Sequence, residues 1–214
     1  MHSSDNDITA QTFDILMQDT WLLALAIRNG KPPVVDDTLY QHCLDMIQQV
    51  QDQLTSMGAP EYLTEEIKFA HCVFVDEAIM SQPDTDVSTW WRRTPLQGHF
   101  LDHIHGGDLF YEHIKKLLRE PTPSQALVTC YYRMLSFGYA GKYRTEDDGE
   151  RLSIMQQLEK LLPKIPGQEN HHAIVVSSGG NEAQWWRSPQ VILMSLLLLT
   201  AGIWAGLRFF LLAQ

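Results

Sequence analysis

Basic side chains are nearly missing from the front of the sequence. Residues 1–90 hold three Lys or Arg against 15 Asp or Glu, a net −12, in a chain of 214 residues whose formal net charge is −10. Such a surface repels nucleic acid phosphates and anionic lipid headgroups, which excludes a DNA, RNA or polybasic membrane-surface role. A basic protein partner is its natural complement. Residues 91–187 hold 12 basic and 11 acidic side chains, so the imbalance belongs to the first part alone. Cysteine is equally scarce. Cys43, Cys72 and Cys130 cannot all pair, and each falls in an apolar helical pattern, which fits core thiols in a reducing compartment. There is no CxxC, no HExxH and no GxSxG, and Ser178-Gly179-Gly180 lacks the lysine of a phosphate-binding loop. The opening MHSSDNDITAQ has neither a basic n-region nor an apolar h-region, so the expectation is that residues 1–187 stay in the cytosol.

One long apolar run is present. From Pro189 to Leu207 no side chain ionises. At 1.5 Å rise per residue, roughly 20 residues span the ~30 Å hydrocarbon layer, and Val191 to Leu211 meets that length. Ser188-Pro189 supplies an N-cap and a first-turn proline, Trp185 and Trp186 fall at the interface, and Arg208 can snorkel to the headgroups. The predicted organisation is a helical domain over 1–162, a linker over 163–187 and a transmembrane anchor over 188–212 whose C-terminus just reaches the far side. Gly202 and Gly206 form a GxxxG, a spacing that lets two membrane helices approach closely and so points to self-association.

Strand alternation is rare in the rest, and apolar residues recur at helical spacing. The predicted fold is all-α. Its first helix carries Phe13, Met17, Ala24 and Ile27 and ends at Asn29-Gly30. Asp36 or Asp37 caps a second, stopped by Gly58, and Thr64 caps a third running to about Ser81. Thr94-Pro95 opens a fourth reaching His105, Gly106-Gly107 breaks it, and Asp108 caps a fifth to Arg119. Ser124 starts a sixth to Phe137, Gly138 and Gly141 mark a turn, and a seventh covers about 147–162. The charge shift near residue 90 divides the helical domain into an acidic lobe of about 1–90 and a second lobe of about 91–162.

Chemistry has few places to reside. The third helix is apolar almost all round, yet Asp76 and Glu77 interrupt it, and an isolated buried charge costs several kcal/mol. Three readings follow: pairing with Arg133 or Arg144 or capping of loop N–H groups, a cleft wall facing a basic partner, or acid–base catalysis. The last is disfavoured because adjacent helical positions diverge by about 100°. His99 and His103 have i,i+4 spacing, but no further ligand pattern supports a metal centre. No catalytic set assembles, and the expectation is a protein that is not an enzyme and carries no cofactor.

The ordered motifs FAHCVFVDE (Phe69 to Glu77), GGDLFYEHI (Gly106 to Ile114) and LSFGYAGKYR (Leu135 to Arg144), followed by the C-terminal apolar run, resemble the DotU/TssL family. That family is the tail-anchored inner-membrane component of the bacterial type VI secretion system. The resemblance assigns structural motif positions to Phe69, Ala70, Cys72, Gly106, Gly107, Asp108, Phe110, Gly138 and Gly141. It also makes Asp76, Glu77, Tyr143 and Arg144 candidates for a partner-binding cleft. Val73 stands where the family has Ala, Tyr111 where it has a second Phe, and Lys142 where it has Arg, so a bidentate contact at 142 is not expected. The resemblance implies two small three-helix bundles with a cleft between them, a large TssM/IcmF-type membrane partner and contacts with TssK- and TssE-type baseplate proteins. It equally implies kinship with the DotU component of type IVB systems. A metal-dependent sensor at the membrane face, built on His99 and His103, is the alternative of a different class.

Overall fold

A computed structural model describes residues 8–82, 90–101, 106–143 and 145–163. Backbone contacts divide the chain into residues 1–165 and 166–214, and all described residues belong to the first unit. Every regular element among them is an α-helix: α1 (Ala10–Leu16), α2 (Gln18–Arg28), α3 (Asp37–Ser56), α4 (Glu61–Met80), α5 (Leu96–Phe100), α6 (Gly106–Leu117), α7 (Gln125–Ser136) and α8 (Gly149–Leu161). None of the described helices is long and apolar enough to cross a membrane. The span expected over 188–212, with Gly202 and Gly206, lies outside the described residues.

Helix α4 is the axis of the fold. Phe69 to Asp76 are eight consecutive buried residues, so two full turns face protein in every direction, as their composition requires. Around it pack α2, α3, α5, α6 and α7, while α7 also receives α1, α6 and α8. The three cysteines are buried free thiols in this core, and burial pushes the Cys43 thiol up to about 12, far from reactivity.

Local signals explain most helix ends. Asp36 accepts from the Leu39 amide at 2.9 Å to start α3, which turns Leu39, Cys43, Met46, Ile47, Val50 and Leu54 inward. It stops at Gly58, whose φ of +77° an L side chain rarely adopts. Ser124 caps α7 and Asp148 caps α8 in the same way.

Four boundaries differ from the sequence expectation. The first helix is broken at Met17 (φ −96°, ψ 10°) into α1 and α2, although neither Gly nor Pro is there. Met17 and Phe13 are fully buried at the joint, Trp21 stacks flat on Phe137 at 4.8 Å, and the backbone bonds from Met17 to Phe13 and from Trp21 to Met17 persist across it. Helix α4 starts at Glu61 after Pro60. Thr64 does not cap it; its hydroxyl donates back to the Pro60 carbonyl. Gly106 and Gly107 open α6 instead of separating two helices, and Asp108 lies in its first turn. The described part of the fourth predicted helix, α5, ends at Phe100.

Helix α4 also buries His71, whose Nε2 lies 2.6 Å from the Thr20 hydroxyl. Loss of water brings its pKa down to about 3. The unfolded chain therefore binds a proton that the folded chain refuses between about pH 6.5 and 3, and stability rises with pH across that window. Relative to His71→Gln, the wild type should lose roughly 1.4 kcal/mol per pH unit on acidification through it. Denaturant unfolding at pH 4, 5, 6 and 7 reads this difference; parallel curves would contradict it.

Candidate functional site

Asp76 faces the junction of three elements. Its Oδ1 accepts from Trp91 Nε1 at 2.8 Å and the Leu96 amide at 2.9 Å, and its Oδ2 accepts from the Gln97 amide at 3.0 Å and Gln97 Nε2 at 2.9 Å. The carboxylate is wholly buried and serves as the N-terminal cap of α5 from a distance. Gln97 Oε1 in turn accepts from the Gly106 amide at 2.9 Å, carrying the chain of bonds to the start of α6. Burial pushes the Asp76 carboxyl up, and the four donors pull it back part of the way.

Glu77, one position on, points about 100° away and holds a different segment. Its Oε1 accepts from the Ala140 amide at 2.7 Å and its Oε2 from the Gly141 amide at 2.6 Å. Desolvation raises its pKa, opposed by those two amides and then by Arg151. Arg151 grips the other side of the same turn. It is buried and donates to the carbonyls of Tyr139 at 2.8 Å, Glu146 at 2.7 Å and Leu135. Tyr111 adds a bond to the Ala140 carbonyl at 2.9 Å.

Glu77 thus caps loop N–H groups, one of the readings the sequence left open, while Asp76 caps the first amides of a helix. Neither meets Arg133, which forks onto Asp14 at 2.9 and 2.7 Å and ties α7 to α1. Arg144 lies outside the described residues. Asp76, fully buried and with both oxygens occupied, supplies the wall from inside and offers a partner no surface.

The three sequence motifs converge here. Phe110 lies tilted against Tyr139 at 4.1 Å and meets Tyr131 edge-on at 5.0 Å. Gly107 faces the Gly141–Lys142 backbone, where an added Cβ would sit 3.7 Å from it. Ala70 and Cys72 are buried in α4, and Phe69 lies against His113 at 4.5 Å. Tyr143 meets Tyr111 edge-on at 4.6 Å, and the Lys142 ammonium lies over both rings, 5.0 Å from Tyr143 and 5.7 Å from Tyr111, within cation–π reach of each. Gly138 and Gly141 take φ of +95° and +56° in the turn.

Two cavities flank this junction. One of about 300 Å³ has Ala24, Ile27, Phe74 and Phe137 among its walls, and the Arg28–Glu146 ion pair (3.1 Å) also borders it. The other, about 450 Å³, is bordered by Val73, Met80, Arg92 and Gly107. Glu77, Ser81 and Tyr139 line both. His99 is exposed on α5, and His103 lies outside the described residues. Among the described residues no three His, Cys, Asp or Glu side chains are grouped to hold a metal ion.

Gly106 sits against packed side chains. A Cβ there would sit 2.2 Å from Val73 Cγ2 and 2.3 Å from Gln97 Oε1. Gly106→Ala should displace Gln97 from Asp76 and cost roughly 1–3 kcal/mol by overpacking, read as a lower denaturant midpoint at unchanged slope.

The family model of type VI secretion system protein DotU matches residues 12–210. The chain belongs to the DotU family. Its fold is similar to that of the T6SS protein SciP/TssL from Escherichia coli Enteroaggregative 042, with 25% identity, a TM-score of 0.63, and coverage of 76% of this chain and 94% of that one. The cytoplasmic domain of TssL from Acinetobacter baumannii (22% identity, TM-score 0.64, 69% of this chain and 94% of that one) shares the fold. So does TssL from Vibrio cholerae (24%, 0.61, 70% and 94%). Comparison with curated proteins finds no match.

Trp91, Gln97 and Arg151 join the site without a sequence motif that marks them, and Tyr111 gains a hydroxyl contact that the family's Phe could not make. For Arg151 a signal was present: it shares the helical face of Ile154 and Leu158, both buried, so a cation was written onto an apolar stripe.

Proposed function

We propose that this DotU-family chain is a non-enzymatic scaffold of the type VI membrane complex that tethers the baseplate to the bacterial inner membrane. In this reading its helical body stands in the cytoplasm, its apolar run crosses the bilayer and its C-terminus enters the periplasm. The observation that carries it is the extent of the family match, residues 12–210, which takes in both the helical body and the uncharged run. The mechanism is effective concentration. A fixed anchor, pairing through Gly202 and Gly206, and a TssM/IcmF-type membrane partner together turn several weak contacts into one avid attachment.

TssK- and TssE-type baseplate proteins are the cytoplasmic partners in this account. Glu77 and Tyr143 are the cleft residues a partner would meet, with Asp76 fixing the wall behind them. The acidic front of the chain speeds the encounter.

The experiment is a chain terminated before Ser188, expressed in place of the full chain. A fluorescent baseplate protein should stop forming membrane foci, and type VI secretion should be lost while the truncated chain accumulates. Normal secretion would overturn the proposal.

A further inference from the structure

Helices α2 and α3 both pack on α4 but make little contact with each other. Between them runs a groove of about 210 Å³, with Leu16, Thr20, Met46 and Val50 among its lining residues. Ile15 lines it at 64% exposure, and beyond the lining α2 carries two more exposed apolar side chains, Leu22, two helical turns from Ile15, and Leu25, at 55% and 37%. The backbone bonds from Met17 to Phe13 and from Trp21 to Met17 carry the helical repeat across the joint, which keeps Ile15 and Leu22 near one line.

Two cations near this stripe, Arg28 and Arg133, are each paired with an acid, Glu146 and Asp14. Residues 32–67 contain no Lys or Arg and seven acids. Asp19 borders the groove on one side. On the other, Asp45 and Asp52 are exposed one helical step outside Gln49. None of the three is paired with a cation among the described residues.

We propose that this groove is a docking site for a cationic amphipathic helix of a protein partner, its apolar stripe on Ile15 and Leu22 and its Lys or Arg residues on Asp19, Asp45 and Asp52. An apolar line at helical spacing calls for a matching line on the occupant. The uncompensated acids fix the occupant's sign. A second copy does not fit, because an isologous pairing sets the same acids against one another. An anionic bilayer is repelled for the same reason. The site rests on the helical body alone and does not depend on how the chain is anchored, so its failure would leave the tethering account standing, and the reverse.

The test is photo-crosslinking in the cells that make the protein, with benzoylphenylalanine at position 22 of the full chain and, as control, at Leu152, an exposed apolar site on α8. The adduct peptide is then sequenced. The expected adduct from position 22 is a segment with helix-period apolar residues and net positive charge, not obtained from position 152. Its yield should fall at least about fivefold with Asp45→Lys plus Asp52→Lys, and likewise with Asp19→Lys on the opposite wall. An adduct with a second copy, with lipid, or with a neutral or acidic segment would overturn the proposal. So would no adduct, or a yield indifferent to charge reversal on both walls.

Discussion

Asp76→Ala should remove roughly 4 kcal/mol of stability, a large share of what a domain of this size possesses. Among the described residues the carboxylate is the acceptor for Trp91 Nε1, the Leu96 and Gln97 amides and Gln97 Nε2. Each buried donor left without a partner costs about 1–3 kcal/mol, reduced in sum because a shared gap admits water. Asp76→Asn should cost about half as much, since an amide presents one oxygen where two are used. The α5 amides should then exchange hydrogen early in either variant, before those of α3. Retention of wild-type unfolding by Asp76→Ala would mean the network carries no net stability. The pH dependence has its own sign. Burial raises this carboxyl above its ordinary 3.8, so the folded chain holds the proton more tightly and stability falls as pH rises through that window, opposite to His71.

Arg151→Met should cost about 3 kcal/mol, and Arg151→Lys less. Three carbonyls, of Leu135, Tyr139 and Glu146, lose charge-assisted donors in the first variant, and one ammonium cannot reproduce the fork in the second. Glu77 holds the opposite side of the turn and feels the Arg151 charge. A double-mutant cycle between Arg151→Met and Glu77→Gln should therefore show coupling above about 0.5 kcal/mol. Additive losses would mean that the two side chains act on the turn independently.

These two residues also mark how far the sequence was legible. The all-helical class, the caps at Asp36 and Ser124, the glycine turn at Gly138 and Gly141 and the core thiols follow from local chemistry, because period and cap lie within one turn of each other. That the two adjacent carboxylates need partners was equally plain from α4's apolar surroundings. Which partners they meet was not, since the donors come from residues 15 to 64 positions away and only the packed chain selects them. The break at Met17 and the opening of α6 at Gly106 belong to the same class: Met17 is neither Gly nor Pro, and the Gly106 amide is held by Gln97, nine residues away.

The central claim, a cytoplasmic helical body fixed to the inner membrane by residues 188–212, has a direct measurement. Membranes from cells making the full chain are washed with alkaline carbonate, and intact spheroplasts are separately treated with external protease. The account predicts that the chain stays in the carbonate pellet and that residues 1–165 survive the protease until the cells are lysed. Release into the wash, or digestion of those residues from outside, would contradict it.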